Sequence, residues 1–217
     1  MNKPLTGEEW LNSPSKRRID IALSLALLGP ATGVSALSAA ALYLEVPINP
    51  VFRQVRMGKD GAHFDILKLR TMTRTDFYDP SDGTMDDRRT PVGKLLGIAG
   101  VDELPQLYNV LNNDMSFVGP RPLPLTYFPG MRDVLGESGY NEWFRAYTLP
   151  KPGLTSEFSN LSRGLVPQSD EYLRLRAEKD IAYIDNTSRL FDMSIILESG
   201  LLAVNRLVTL QSQYGLA

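Results

Sequence analysis

The chain has no cysteine and a single histidine, His63. Without thiols there is neither a disulfide framework nor a thiolate metal site. One histidine argues against a zinc enzyme and against a Ser-His triad. A surplus of one charge is also missing, because 23 Lys and Arg face 25 Asp and Glu for a net charge of -2. No global field therefore draws the chain to nucleic acid. No internal repeat or low-complexity segment is evident. Any chemistry must rest on carboxylates, Arg, Lys, hydroxyls or a bound hard cation. At 217 residues there is room for one domain, or one domain with an appendage.

Charge is locally absent as well. Residues 1–15 are polar and read as a loosely ordered start, Lys16-Arg17-Arg18 follow, and no charged residue occurs from Ile21 to Leu44. A helix over that run would reach ~36 Å, enough for a hydrocarbon core of ~30 Å. Gly29-Pro30 complicates a simple span, since proline clashes with the preceding turn and disfavours α geometry before it. Thr32, Ser35 and Ser38 are placed to satisfy carbonyls freed at a break. Three readings stand: a kinked span, a bent helix that enters and leaves by one face, and a signal peptide with small residues at 38–41. Basic residues on both flanks, with Arg53, Arg56 and Lys59 on the far side, favour the bent form by the positive-inside rule. Arg53 and Arg56 read either as a solvated edge or as contacts to anionic head groups.

Beyond Pro50, Val51–Val55 and His63–Met72 read as two strands around the turn 57–61, a β-hairpin. Phe64 and Ile66 would face a core, with Lys68 and Arg70 on the other face and His63 at the strand edge. Residues 73–90 read as a polar loop without EF-hand spacing, and Thr90-Pro91 opens a short helix. Next comes Val101-Asp102-Glu103-Leu104-Pro105-Gln106-Leu107-Tyr108-Asn109-Val110-Leu111. Leu104, Leu107, Tyr108 and Leu111 fall on one helical face, and Pro105 fits a first turn. Asp102 then lies at or near the N-cap, where the helix end favours a carboxylate and also a phosphate. Arg121 stands between Pro120 and Pro122, which limit the freedom its guanidinium loses on binding an oxyanion. Read alone, these are an ordinary cap and an ordinary surface arginine. Trp143, Phe144 and Tyr147 read as core or as a membrane-interface contact. Residues 190–210 form an apolar to amphipathic helix whose Asp192, Glu198 and Arg206 argue against a second span and for packing on the core or along the interface.

Several stretches, in this order, resemble the bacterial sugar transferases, the monotopic phosphoglycosyl transferases. They are Lys16-Arg17-Arg18-Ile19-Asp20 before a proline-broken apolar helix, Val51-Phe52-Arg53-Gln54, and Lys68-Leu69-Arg70-Thr71-Met72. Asp102-Glu103-Leu104-Pro105-Gln106-Leu107, Asn109-Val110-Leu111, residues 114–122 and Lys151-Pro152-Gly153-Leu154-Thr155 complete the series. The resemblance runs from about residue 16 to residue 200. It implies transfer of a sugar-1-phosphate from a UDP-sugar to polyprenyl (undecaprenyl) phosphate, releasing UMP, as the first step of glycan or polysaccharide synthesis. It implies Asp102 as the nucleophile that forms a phosphosugar adduct and Glu103 as the holder of Mg²⁺. It puts Lys68, Arg70, Arg121, Arg145 and Lys151 among the substrate-binding residues.

The fold expected on this basis is α+β: a small cytoplasmic globular domain with a β-hairpin, carried on a re-entrant membrane helix broken at Gly29 and Pro30, with interfacial amphipathic helices. Its parts are a flexible N-terminus at 1–15, the re-entrant helix at 16–46 and a catalytic domain at 47–217. The expected location is the cytoplasmic face of the bacterial inner membrane, with membrane lipids as partners, no nucleic acid, and an oligomeric state compatible with a homo-oligomer. One departure from the family stands out. Relatives carry an Arg and hydroxyl residues before the Asp-Glu pair, where this chain has Gly97-Ile98-Ala99-Gly100. A phosphate contact is then lost unless Lys94 replaces it, and relatives often have Gly where this chain has Ser156. The rival readings are a non-catalytic scaffold for polysaccharide assembly and a metal-dependent phosphodiesterase that uses water.

Overall fold

A computed structural model of the chain describes residues 7–73, 89–162 and 164–214. Most of the polar loop at 73–90 lies outside the described residues. The amino end begins with a short helix, α1 (Glu8–Leu11), where the sequence reads as loosely ordered. Ser13 then accepts from the Lys16 N–H and Pro14 takes the first position of α2 (Pro14–Glu45). At 32 residues, α2 is ~48 Å long. It is the one helix among the described residues long and apolar enough to cross a membrane, by length and composition.

The expected interruption at Gly29 and Pro30 is not there: α2 runs through both. An interior proline costs about 3 kcal/mol, and contacts along the helix offset that cost. At the first turns Lys16 is buried and its Nζ meets Asp192 at 2.6 Å and the Val118 carbonyl at 3.0 Å. Arg17 donates to the carbonyls of Val110 and Leu111, and buried Asp20 accepts from Ser116 Oγ and the Phe117 N–H. Midway, Ala31 joins the core and Thr32 Oγ1 meets the Tyr108 hydroxyl at 3.2 Å. At the far end Leu42 packs with Leu69 and Leu96, and Glu45 accepts from the Val92 N–H. Elsewhere on α2, Leu25, Leu27, Leu37 and Leu44 are exposed.

Strands β1 (Val51–Met57) and β2 (His63–Leu69) pair antiparallel, with Val51 opposite Leu69 and Met57 opposite His63. Strand alternation puts Lys68 on the face of Ile66, the reverse of the expected assignment, and Leu69 on the other. Leu69 is claimed by α2 and by α3 (Pro91–Ala99), so the hairpin is covered on both faces. Arg56, which the sequence suggested as a solvated edge, is buried, while Arg53 is exposed.

After α4 (Gln106–Leu111) comes a pairing that sequence reasoning did not find. Strand β3 (Ser116–Val118) runs parallel to β4 (Gly153–Thr155), joined through the long α5 (Phe128–Thr148). Gly119 and Gly153 are needed here, because a Cβ on either would sit within 2.3 Å of the facing backbone. Helix α5 holds Gly136 at φ 67 between its two halves and packs its aromatic stripe against α7 (Asp170–Asn186). Trp143 and Tyr147 belong to this core and not to a lipid face. A short α6 (Glu157–Leu161) precedes α7, and α8 (Arg189–Tyr214) closes the chain. Helix α8 buries Asp192 and Ile195 and exposes Leu190, Leu197, Leu201 and Leu207.

Asp192 joins α1, α2, α7 and α8, since Trp10 Nε1 and the Tyr183 hydroxyl also donate to it. Replacing it leaves Lys16 buried and uncompensated, which costs about 3–5 kcal/mol. Asp192→Ala should lower the denaturation midpoint of the full chain in detergent accordingly, and an unchanged midpoint would remove this pair from the fold's supports.

Candidate active site

Thr90 caps α3 through the Gly93 N–H, and Gly100 ends it at φ 73, a left-handed conformation that glycine adopts without strain. The chain then makes one 3-10 turn, Val101–Glu103, before Pro105 and α4. Asp102 therefore does not cap α4 as expected: Pro105 occupies that position, and the turn holds both carboxylates outside the helix. The buried side of α4 is also rotated from the expected face, being Gln106, Leu107, Asn109 and Val110, while Tyr108 is 47% exposed beside α2.

Asn109 sets the register between α4 and the hairpin. Its Oδ1 accepts from the Leu67 N–H at 3.0 Å and its Nδ2 donates to the Asp65 carbonyl at 2.8 Å. One side-chain amide thus replaces a neighbouring strand along β2. The next residue, Lys68, is brought to Glu103, with Nζ 2.6 Å from Oε1.

Arg121 meets the same carboxylate from the opposite side. Its Nη1 is 3.2 Å from Oε2 and its Nη2 bonds Oε1, a bidentate fork. The flanking prolines have no N–H, so the loop is held mainly through its carbonyls. The Pro120 carbonyl accepts from Gly153, that of Arg121 from Arg176 Nη2, and that of Pro122 from Arg56 Nη1, while the Leu123 N–H donates to the Tyr147 hydroxyl. Arg176 is itself fixed by Asp180 at 2.6 Å, which also accepts from Trp143 Nε1. Four consecutive residues are thereby anchored before Arg121 reaches the site.

The two adjacent carboxylates have opposite environments. Burial alone would raise Glu103, but the charges and hydrogen bonds of Arg121 and Lys68 hold it well below the usual carboxylate range. Burial raises Asp102, with Lys68 opposing and Glu103 adding to the rise. No hydrogen bond joins the Asp102 carboxylate to another described residue. Arg56 is lowered to about 10 by burial and by Arg121 nearby.

Arg89 also acts on Asp102 and lies against Gly97, where a Cβ would sit 2.9 Å from its Nη1. A cation is therefore present beside the Gly97–Gly100 run after all, supplied from the strand-like segment before α3. Arg56, Arg89, Arg176 and Asn109 were all missed from sequence. Only Arg56 carried a usable signal, as an arginine on the inward phase of an alternating strand.

Of the other expected site residues, Arg70 donates to the Asn49 carbonyl at 2.8 Å and lies over the Phe52 ring, outside the Glu103 cluster. Arg145 is exposed on α5. Lys151 bonds Asn113, beyond the opposite end of α4 from Asp102. The structure thus brings together Asp102, Glu103, Lys68 and Arg121, and not the remaining three.

A carboxylate offers about four lone-pair sites, and Lys68 and Arg121 occupy three on Glu103. With Asp102 next to it, the pair suits a hard cation that takes its remaining ligands from phosphates and water. No group of three or more His, Cys, Asp or Glu with metal-site geometry occurs among the described residues.

Glu103 is the titrating group that most directly ties this cluster to stability. Its folded value lies below its ordinary 4.5, so its contribution is complete above that value and is lost as pH falls toward the folded one. Denaturant titrations from neutral pH into the acid range should show the parent chain losing more stability than Glu103→Gln. Equal slopes would contradict the ion cluster.

Comparison with known proteins places these features in context. The family model described as bacterial sugar transferase matches residues 11–206. A UDP-glucose:undecaprenyl-phosphate glucose-1-phosphate transferase of Caulobacter vibrioides is 39% identical over 188 residues, covering 85% of this chain and 67% of that protein. The exopolysaccharide production protein PSS of Rhizobium leguminosarum bv. phaseoli is 35% identical over 189 residues, 83% of this chain and 90% of that one. A UDP-N-acetylgalactosamine-undecaprenyl-phosphate N-acetylgalactosaminephosphotransferase of Aeromonas hydrophila is 30% identical over 186 residues, 85% of this chain and 42% of its own length.

Proposed function

This chain belongs to the bacterial sugar transferases, and from that membership we propose that it transfers a sugar-1-phosphate from a UDP-sugar to a polyprenyl phosphate, releasing UMP. The product, a polyprenyl-diphosphate sugar, starts a lipid-linked glycan or polysaccharide. The observation that carries this reading is the contrast between Asp102, whose carboxylate no described residue hydrogen-bonds, and Glu103 beside it, which already accepts three hydrogen bonds from Arg121 and Lys68.

In the proposed reaction an Asp102 oxygen attacks the phosphorus that bears the sugar. A P–O bond to the leaving UMP breaks, and the sugar phosphate is held as an acyl phosphate. A phosphate oxygen of the polyprenyl acceptor then attacks that phosphorus and expels the carboxylate. Lys68, Arg121 and Arg89 surround the site with positive charge that favours the diphosphate and its transition state. Glu103 orients Arg121 and Lys68, and with Asp102 it would hold Mg²⁺. When bound, the cation neutralises charge on the phosphate oxygens and on the departing UMP.

Several features support a monotopic arrangement at the cytoplasmic face of the inner membrane, where nucleotide sugars are available. Both ends of α2 are tied to the same body, which a helix carrying that body across a bilayer would not be. The exposed leucines of α2 and α8 supply a lipid-facing surface. Gly29 and Pro30 are exposed, with nothing packed near Gly29.

Asp102→Asn should lower turnover by a factor on the order of 10⁴ or more, and mass spectrometry of the parent chain quenched with UDP-sugar alone should find the phosphosugar on the peptide containing residue 102. An adduct on another peptide would remove Asp102 as the nucleophile, and free sugar phosphate with no lipid product would replace this reading with the phosphodiesterase. EDTA should stop transfer and Mg²⁺ should restore it, so full activity in chelator would remove the cation from the scheme.

A further inference from the structure

At the other end of α4 from Asp102, a cleft of about 140 Å³ is lined by Lys16, Arg17, Asp20, Lys59 and Lys151, among others. Glu103, Lys68 and Arg121 do not line it. The path along the chain from residue 103 to residue 111 corresponds to ~12 Å of helix, so the two cationic centres are distinct.

The charges in the cleft do not cancel. Lys16 is neutralised by Asp192. Arg17 is held by two carbonyls, Lys59 by the Asn12 Oδ1 at 2.7 Å and Lys151 by the Asn113 Oδ1. All of these acceptors are neutral, so three cations face the single carboxylate of Asp20. One oxygen of that carboxylate, Oδ1, already accepts from Ser116 Oγ and the Phe117 N–H. An ammonium has three donors, and Lys59 and Lys151 each use one on an amide. The first turn of α2, capped by Ser13 at the cleft wall, adds the positive end of a long helix. Burial lowers Lys151, and Arg17 and Lys59 lower it further against an opposing rise from Asp20, as expected where cations outnumber the one carboxylate they face.

We propose that this cleft is a second anion site, separate from the reacting carboxylates, and that it takes a single phosphate group, from a lipid head group or from free phosphate. Pockets for drug-sized ligands occupy about 300–1,000 Å³, so the cleft suits one tetrahedral oxyanion and not a nucleotide. Bound there, the phosphate joins the start of α2, the tip of the hairpin and the approach to β4. Arg17 links that junction to the carboxyl end of α4, whose amino end follows the reacting turn. The inference is independent of the transfer reaction.

Site-resolved lysine acylation of the full chain in detergent, read by mass spectrometry, tests it. A bound phosphate that raises each ammonium's pKa by about one unit makes acylation about tenfold slower. Inorganic phosphate should protect Lys59 and Lys151 saturably, against chloride at equal ionic strength, and leave Lys179, paired with Glu157 and Glu178, unchanged. Lys151→Met should abolish protection at Lys59, and Lys59→Met should abolish it at Lys151, with both variants melting as the parent does. Protection by short-chain phosphatidylglycerol at lower concentration than phosphate identifies the lipid source, and the reverse order identifies free phosphate. No protection by either, or protection that survives in both variants, overturns the site. Asp102→Asn should keep the protection, so this result and the fate of the transfer reaction are read separately.

Discussion

One carboxylate, Glu103, organises the centre of this protein. It accepts a bidentate fork from Arg121 and an ammonium from Lys68, joining three chain segments that are distant in sequence. Each donor arrives already constrained. Lys68 is set by the Asn109 amide that docks β2 on α4, and Arg121 by a loop whose carbonyls are held by Arg176 and Arg56. Partners positioned in advance lose little freedom when they meet, so the cluster can be half-buried and still ionised. The same constraint leaves Asp102, one residue earlier, outside the network.

Helix α2 serves the fold as well as its apolar composition. Lys16, Arg17 and Arg18 read from sequence as a basic flank beside a membrane segment, which Asp20 precedes. In the structure Lys16, Arg17 and Asp20 turn inward: Lys16 and Asp20 are buried, and Arg17 satisfies two of the carbonyls left open at the end of α4. Asp20 completes the start of β3 in the same way. The turn that carries Asp102 and the loop that carries Arg121 thus flank elements that α2 stabilises directly, and the helix is an integral layer of the domain.

Local signals in the sequence located the hairpin, the capped start of α3 and the adjacency of Asp102 and Glu103, because turn chemistry and caps act over a few residues. The parallel β3–β4 pair was not legible: each strand has three residues, too few for a periodic pattern, and long segments separate them. Lys68 was set opposite Phe64 and Ile66 because its charge suggested a solvent side, whereas strand alternation puts all three on one face and both faces of the hairpin are covered. Arg89 and Arg176 were not recognisable as inward-facing, since an arginine's destination depends on which distant carboxylate or carbonyl reaches it. The family resemblance named Arg121 and Lys68, but the packing explains how they are held.

The environments of the two carboxylates also bear on which of them can react. A carboxylate held far below its usual range by two cations is a weak base, and most of its lone pairs are engaged. Glu103 is therefore suited to orienting charge and poorly suited to attacking phosphorus. Burial makes the neighbouring Asp102 more basic, hence more nucleophilic, while Lys68, Arg121 and Arg89 limit the rise. Adjacent acids driven apart in this way divide the work between them. On the proposed reaction, the division follows from which side of a single 3-10 turn each side chain leaves.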